Sequence, residues 1–152
     1  MERFDARSEH LEGLRRKLDL DAIRAGLKAM GLRVIVDPMH GSAAGCVQDL
    51  LGTDVDGLVS EIRGNRDPLF GGCPPEPLAP YLKELIAAIR ACSQQGQPAV
   101  GLVFDGDGDR IAAVDEQGRF CSTQQLMPLL IDHLAGSRNL PGSVVKTVSG
   151  SD

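Results

Sequence analysis

Long apolar runs are missing from this chain of 152 residues. No stretch approaches the roughly 18 consecutive apolar residues of a membrane-spanning helix, and the opening MERFDARSEH has none of the features of a signal peptide. The expected location is therefore the cytoplasm, with no membrane partner. Basic charge is also scarce: 16 Lys and Arg stand against 21 Asp and Glu, for a net charge of -5. The only basic run, RRK at 15–17, reads as a solvated helix face, so a nucleic-acid partner is excluded. Cysteine is sparse and unpatterned. Cys46, Cys73, Cys92 and Cys121 form neither a CxxC nor a Cys/His ligand spacing, and read as reduced thiols that are mostly buried. Structural zinc and disulfides drop out. Neither GxGxxG nor GxxxxGK[ST] occurs, and HGSAAG at 40–45 supports nucleotide binding only weakly. Ser42 has no nucleophile-elbow context, and no Ser/His/Asp arrangement follows from spacing.

What is present is an ordinary globular composition, 42% hydrophobic and 24% charged, enough for one domain of usual size with short extensions. Leu11, Leu14 and Leu18, then Leu20, Ile23, Leu27 and Met30, fall at helical spacing and predict two short helices. LRVIVD at 32–37 is a β-branched run suited to a buried parallel strand. The spacing then predicts a helix over 42–51, a strand over 54–62 and a Gly/Pro-rich loop over 63–77, too long for a mere connector. A helix is expected from Pro75 and Glu76 to about residue 92, with Leu78, Tyr81, Leu82, Leu85, Ile86 and Ile89 as its apolar stripe. AVGLVF (99–104) reads as a strand and RIAAVDEQGRF as a return strand and turn. Ser122 and Gln125 predict a capping box for a helix to about Leu134, with Pro128 bending it or delaying its start. A last strand is expected over 143–149. The alternation predicts an α/β fold, three layers α/β/α around a mainly parallel, mixed sheet.

The most informative stretch is VFDGDGDRIA at 103–112, where Asp105, Asp107 and Asp109 alternate with glycine. In an extended or tightly turned segment these side chains converge on one point. Three adjacent carboxylates repel one another unless a cation neutralises them, and a hard divalent ion is the natural occupant. An exposed Asp/Gly turn without metal is the alternative. Position favours the metal, because the cluster ends a strand, as does DPMHGSAAG after the first strand, and ligands of such folds collect at strand carboxyl ends. An EF-hand count from Asp105 puts Asp107, Asp109 and Glu116 at positions three, five and twelve. It fails at position six, which is Arg110 rather than glycine, and at its flanks, which are strands. His40 reads as a structural hydrogen-bonder, and His10 and His133 as ordinary helix residues.

FDGDGDR, with VDPMHG upstream, PPEPL opening the intervening helix, VDEQGRF downstream and VVKTVSGSD at the end, resembles the phosphoglucomutase/phosphomannomutase family of α-D-phosphohexomutases. The resemblance runs over nearly the whole chain but only part of the family's length. Members have four domains, and the resemblance implies the end of the first here (1–30), the whole second, metal-binding domain (31–139), and the opening strand of the third (140–152). The phosphoserine loop, the sugar-discriminating loop and the phosphate-clamping fourth domain have no counterpart. The resemblance implies that Asp105, Asp107 and Asp109 bind one Mg²⁺, completed by an oxygen of the phosphoserine. It implies that Arg110 holds the phosphorylated ligand or orients the serine loop, with an ion pair inside its own loop as the alternative. It places Lys146 near the reacting hydroxyl as a proton donor or acceptor. The implied reaction moves phosphate between the 1 and 6 positions of glucose or mannose through a bisphosphate, with the other domains as partners and this piece alone inactive. A non-catalytic metal- or phosphate-binding module is the alternative. The family commonly has proline or alanine where this loop has glycine, a departure that alters rigidity more than ligation.

Overall fold

The computed structural model describes residues 4–147. Five strands form one mixed sheet: β1 Arg33–Asp37, β2 Val59–Glu61, β3 Ala99–Phe104, β4 Ile111–Val114 and β5 Phe120–Cys121. Their order is β2-β1-β3-β4-β5. β1 lies parallel to both β2 and β3, with Val34 beside Val59 on one flank and Val100 on the other. β3, β4 and β5 then meander antiparallel. The α/β class and the mixed sheet expected from the sequence are thus present.

Residue alternation along the central strands divides the core in two. Val34 and Val36 face one side, where they pack with Leu27, Leu51, Val55 and Val59. That layer is built by α2 (Leu20–Met30) and α3 (Cys46–Leu51). Ile35, Ala99 and Val103 face the other side and meet α4 (Lys83–Gln94) through Leu82, Leu85, Ile89 and Cys92. Leu82, Leu85 and Ile89 are wholly buried, which stabilises the fold by about 1.5–3 kcal/mol each. A shorter helix, α1 (Ala6–Arg15), lies against α3, and α5 (Thr123–Asp132) lies along β4. Leu27 shares its cluster with Val34 and Val36, so packing continues across the boundary expected at residue 31. Among the described residues, no helix is long and apolar enough to cross a membrane.

Several expected boundaries move. The helix expected from residue 42 begins at Cys46, because Gly45 adopts a left-handed conformation and 41–45 are turns. The strand expected over 54–62 shrinks to Val59–Glu61 after a 3-10 turn at Thr53–Val55. α4 starts at Lys83 rather than near Glu76, behind a 3-10 turn at Ala79–Tyr81. Pro74, Pro75 and Pro77 each bias the preceding residue away from the helical region, and Pro80 falls inside the 3-10 turn. The Ser122/Gln125 capping box is present and starts α5 at Thr123; Pro128 lies inside the helix, and a π-turn follows at His133–Ser137. Residues 143–147 form no strand, while 148–149 of that expected element lie outside the described residues. Of the four free thiols only Cys92 is buried, and Cys73 is exposed, against the expectation that most are covered.

Candidate metal centre

In a sheet ordered 2-1-3-4-5 the chain leaves β1 toward one edge, then crosses to the other. The crevice between the carboxyl ends of β1 and β3 is therefore the switch point where ligands collect. Residues 105–110 sit at that end of β3, folded as a tight reversal into β4. The Gly108 N–H donates to the Asp105 carbonyl (3.1 Å), and the Asp105 N–H donates to the Arg110 carbonyl (3.2 Å). Gly108 has φ +82°, which a side chain would strain.

The reversal gathers Asp105, Asp107 and Asp109 so that one carboxylate oxygen of each lies within 4.8 Å of the others. Asp105 is buried, whereas Asp107 and Asp109 are exposed. Asp105 is held firmly. Its Oδ1 accepts the backbone N–H groups of Gly108 and Arg110, both at 3.0 Å, and its Oδ2 accepts Arg110 Nε at 2.6 Å. Burial pushes its carboxyl up, but the hydrogen bonds from Arg110 outweigh this and hold it below the usual 3.8. The Asp109 carboxyl is pushed up instead, first by its hydrogen bond with Asp105 and then by the charge of Asp107. The cluster is thus an all-oxygen, mutually repelling donor set, the chemistry that suits a hard divalent cation. Around one Mg²⁺, adjacent oxygens stand about 2.9 Å apart and opposite ones about 4.2 Å, so three carboxylate oxygens within 4.8 Å of one another are close enough for a single ion to draw together. Arg110 is ion-paired to Asp105 and lies 3.6 Å from Asp109, the structural alternative raised by the sequence. Lys146 is exposed on the segment after the last helix, outside any strand.

Two other loops close around this one. After β1, the Ser42 N–H donates to the Gly106 carbonyl at 2.9 Å, and from the long loop the Pro75 carbonyl accepts the Gly106 N–H at 3.0 Å. The end of β1 is anchored by a pair that sequence reasoning missed. Asp37, wholly buried, accepts Arg63 Nε on Oδ1 at 3.0 Å and Arg63 Nη2 on Oδ2, while Oδ1 also accepts the Met39 N–H at 3.1 Å. Arg63 Nη2 continues to the Tyr81 carbonyl at 3.2 Å. His40 is a hydrogen-bonder, as read from the sequence: its Nδ1 lies 2.9 Å from the Asn65 carbonyl oxygen, and its N–H donates to the Arg63 carbonyl. A cavity of about 410 Å³ opens beside the aspartate loop, lined by Arg7, His40, Ser42, Arg66 and Gly106. A larger one, about 480 Å³, lies beyond His40 toward Lys83 and touches none of the aspartates.

Comparison with known proteins gives these loops a context. The family model described as Phosphoglucomutase/phosphomannomutase, alpha/beta/alpha domain II matches residues 8–118. The protein named "Probable phosphoglucosamine mutase" from Methanothermobacter thermautotrophicus is 31% identical over 135 residues, which are 86% of this chain and 28% of that protein. The phosphoglucosamine mutase of Bacillus velezensis is 31% identical over 147 residues, 93% of this chain and 30% of its own length. The chain thus spans less than a third of these curated relatives. A crystal structure of a phosphoglucomutase/phosphomannomutase family protein from Burkholderia thailandensis superposes with a TM-score of 0.69. At 24% identity, over 93% of this chain and 28% of that one, it speaks for the fold.

Proposed function

Because this chain belongs to the phosphoglucomutase/phosphomannomutase family, as its alpha/beta/alpha domain II, we propose that it is the metal-binding domain of a phosphosugar mutase. Such an enzyme is an isomerase that moves a phosphoryl group between the 1 and 6 positions of a hexose through a bisphosphate. The observation that carries the reading is the aspartate triad, drawn within 4.8 Å at the β1/β3 switch point.

Asp105, Asp107 and Asp109 would hold one Mg²⁺. Bound there, the cation supplies Lewis acidity, offsetting negative charge on the oxygens of a phosphoryl group in transfer. The chain's own groups do the rest of the local work. Asp105, locked by Arg110 and two backbone N–H groups, keeps the loop pre-shaped. Arg110 places a permanent positive charge beside the triad, suited to a phosphorylated ligand. Lys146 is assigned the proton donor or acceptor near the reacting hydroxyl. The phosphorylated serine belongs to another domain, so the partners are the remaining domains and a hexose phosphate, and this piece alone is inactive. The relatives are named as phosphoglucosamine mutases, so glucosamine phosphate joins glucose and mannose phosphates as a substrate to test. The cytoplasm is the proposed location.

A Mn²⁺ titration followed by amide line broadening tests the site. Broadening should centre on residues 104–110, and even spreading over the acidic surface would refute the assignment. Conversion of glucosamine or glucose 6-phosphate to the 1-phosphate by the full-length protein, with bisphosphate present, tests the activity. Mn²⁺ binding at the triad without conversion of any hexose phosphate would leave a non-catalytic metal-binding module.

A further inference from the structure

Asp105 is fixed by Arg110 and by two backbone N–H groups, but Asp107 is not. Asp107 is exposed, and among the described residues its carboxylate makes no hydrogen bond or ion pair. Its position in the triad is therefore set by its backbone, which means by Gly106, the residue between the two ligands. Gly106 in turn is clamped from outside the aspartate loop, through its carbonyl by the Ser42 N–H and through its N–H by the Pro75 carbonyl.

The contact at Gly41 is closer still. A Cβ placed there would stand 2.5 Å from the Gly106 carbonyl oxygen, 2.8 Å from its Cα and 2.9 Å from its carbonyl carbon. All three are backbone atoms, so no side chain can swing away to relieve the clash. The loop carrying Gly41 and Ser42 is itself tied at several points. Arg7 Nη1 donates to the Ala44 carbonyl at 2.9 Å, the Gly45 N–H donates to Glu61 Oε2 at 2.8 Å, and the His40 N–H is bound to the Arg63 carbonyl. The loop is a braced wall against which the metal loop rests.

We propose that residues 38–45 are a positioning element for the metal centre, and that Gly41 and Ser42 set the affinity of the triad for its cation. The proposal rests on the metal reading above. Its physical basis is tolerance: Mg²⁺ demands near-ideal octahedral geometry at about 2.0–2.1 Å, and the three aspartates are already gathered to within 4.8 Å of one another. Restoring an ordinary contact of 3.4 Å or more between a Gly41 Cβ and the Gly106 oxygen needs a shift of about an ångström. Such a shift moves Asp107 relative to Asp105 and opens the set.

The test uses the chain itself and Mn²⁺, with water-proton relaxation reporting the Kd. Gly41→Ala should weaken Mn²⁺ binding at least about tenfold, with far-UV circular dichroism unchanged. Gly101→Ala is the matched control: its Cβ would press within 3.0 Å of Leu85 in the core, so it should lower Tm while leaving the Kd within about twofold. In the wild type, coupling is reciprocal, so saturating Mg²⁺ should slow hydrogen exchange at the Ser42 amide; this decides the matter even if Gly41→Ala fails to fold. Wild-type Mn²⁺ affinity in Gly41→Ala, or Ser42 exchange indifferent to Mg²⁺, overturns the positioning role alone. Asp107→Asn binding Mn²⁺ as well as wild type overturns the metal reading and this inference with it.

Discussion

Removing Arg63 should be among the most damaging single changes available in this domain. Arg63→Met keeps most of the side chain's length but leaves the Asp37 carboxylate, which has no exposed surface, without its cation. At the 3.0 Å of the Nε–Oδ1 contact and an effective dielectric near 20, the attraction lost is about 5 kcal/mol. Breaking buried pairs from one side typically costs about 3–5 kcal/mol. For a domain of this size, each kcal/mol lowers Tm by about 2–4 °C, so a fall of roughly 6–20 °C is expected at pH 7. The assay is urea and thermal denaturation of Arg63→Met beside Asp37→Asn/Arg63→Met. The double variant removes the stranded charge while keeping an oxygen for the Met39 N–H, and should recover at least about 1 kcal/mol of the loss. A loss under about 1 kcal/mol in the single variant, or a double variant no more stable than the single, would refute the reasoning.

Asp115→Asn should destabilise at pH 7, and that cost should disappear as the pH falls through the lowered folded value of the Asp115 carboxyl. Burial pushes the Asp115 carboxyl up, but hydrogen bonds from Arg119 and Gln117 outweigh it and hold the group below 3.8. Its stabilisation is therefore complete above that value and vanishes as pH falls through the lower folded value; denaturation midpoints across pH 2–7 check it. In the full-length protein, Asp107→Asn should preserve the fold, since the residue is exposed, and slow mutase turnover about a hundredfold or more at low Mg²⁺. Near wild-type turnover would remove the metal role. Arg110→Ala should raise KM for the sugar phosphate by about 10- to 100-fold, the worth of a charge-assisted hydrogen bond. Its Mn²⁺ affinity should stay within about threefold, and a KM unchanged by the substitution would confine Arg110 to its own loop.

The sequence made the central layer legible because periodicity carries it. Val34–Val36 and the Leu82, Leu85, Ile89 stripe are buried where their spacing put them. The boundaries failed where turn chemistry overruled pattern. Asp54, Asp56 and Gly57 interrupt the run read as one strand, and the prolines before Lys83 delay the helix. The aspartate cluster was legible because its partners are neighbours in the chain, and the same holds for the Arg110–Asp105 pair. Asp37 and Arg63 were not, because 26 residues separate them and Arg63 lies within a stretch whose composition says only loop. The clamp on Gly106 escaped for the same reason: one glycine in HGSAAG carries no sign of which backbone it will touch.

Both rims of the sheet are stubs, three residues of β2 on one side and two of β5 on the other. A short rim offers too few free N–H and C=O groups to template another chain. The exposed apolar side chains lie away from the rims, among them Leu129 and Leu130 on α5 and Leu69 in the long loop. Copies crowded together in solution therefore find little free backbone to pair with at either rim. They should not seed fibres that grow by adding strands.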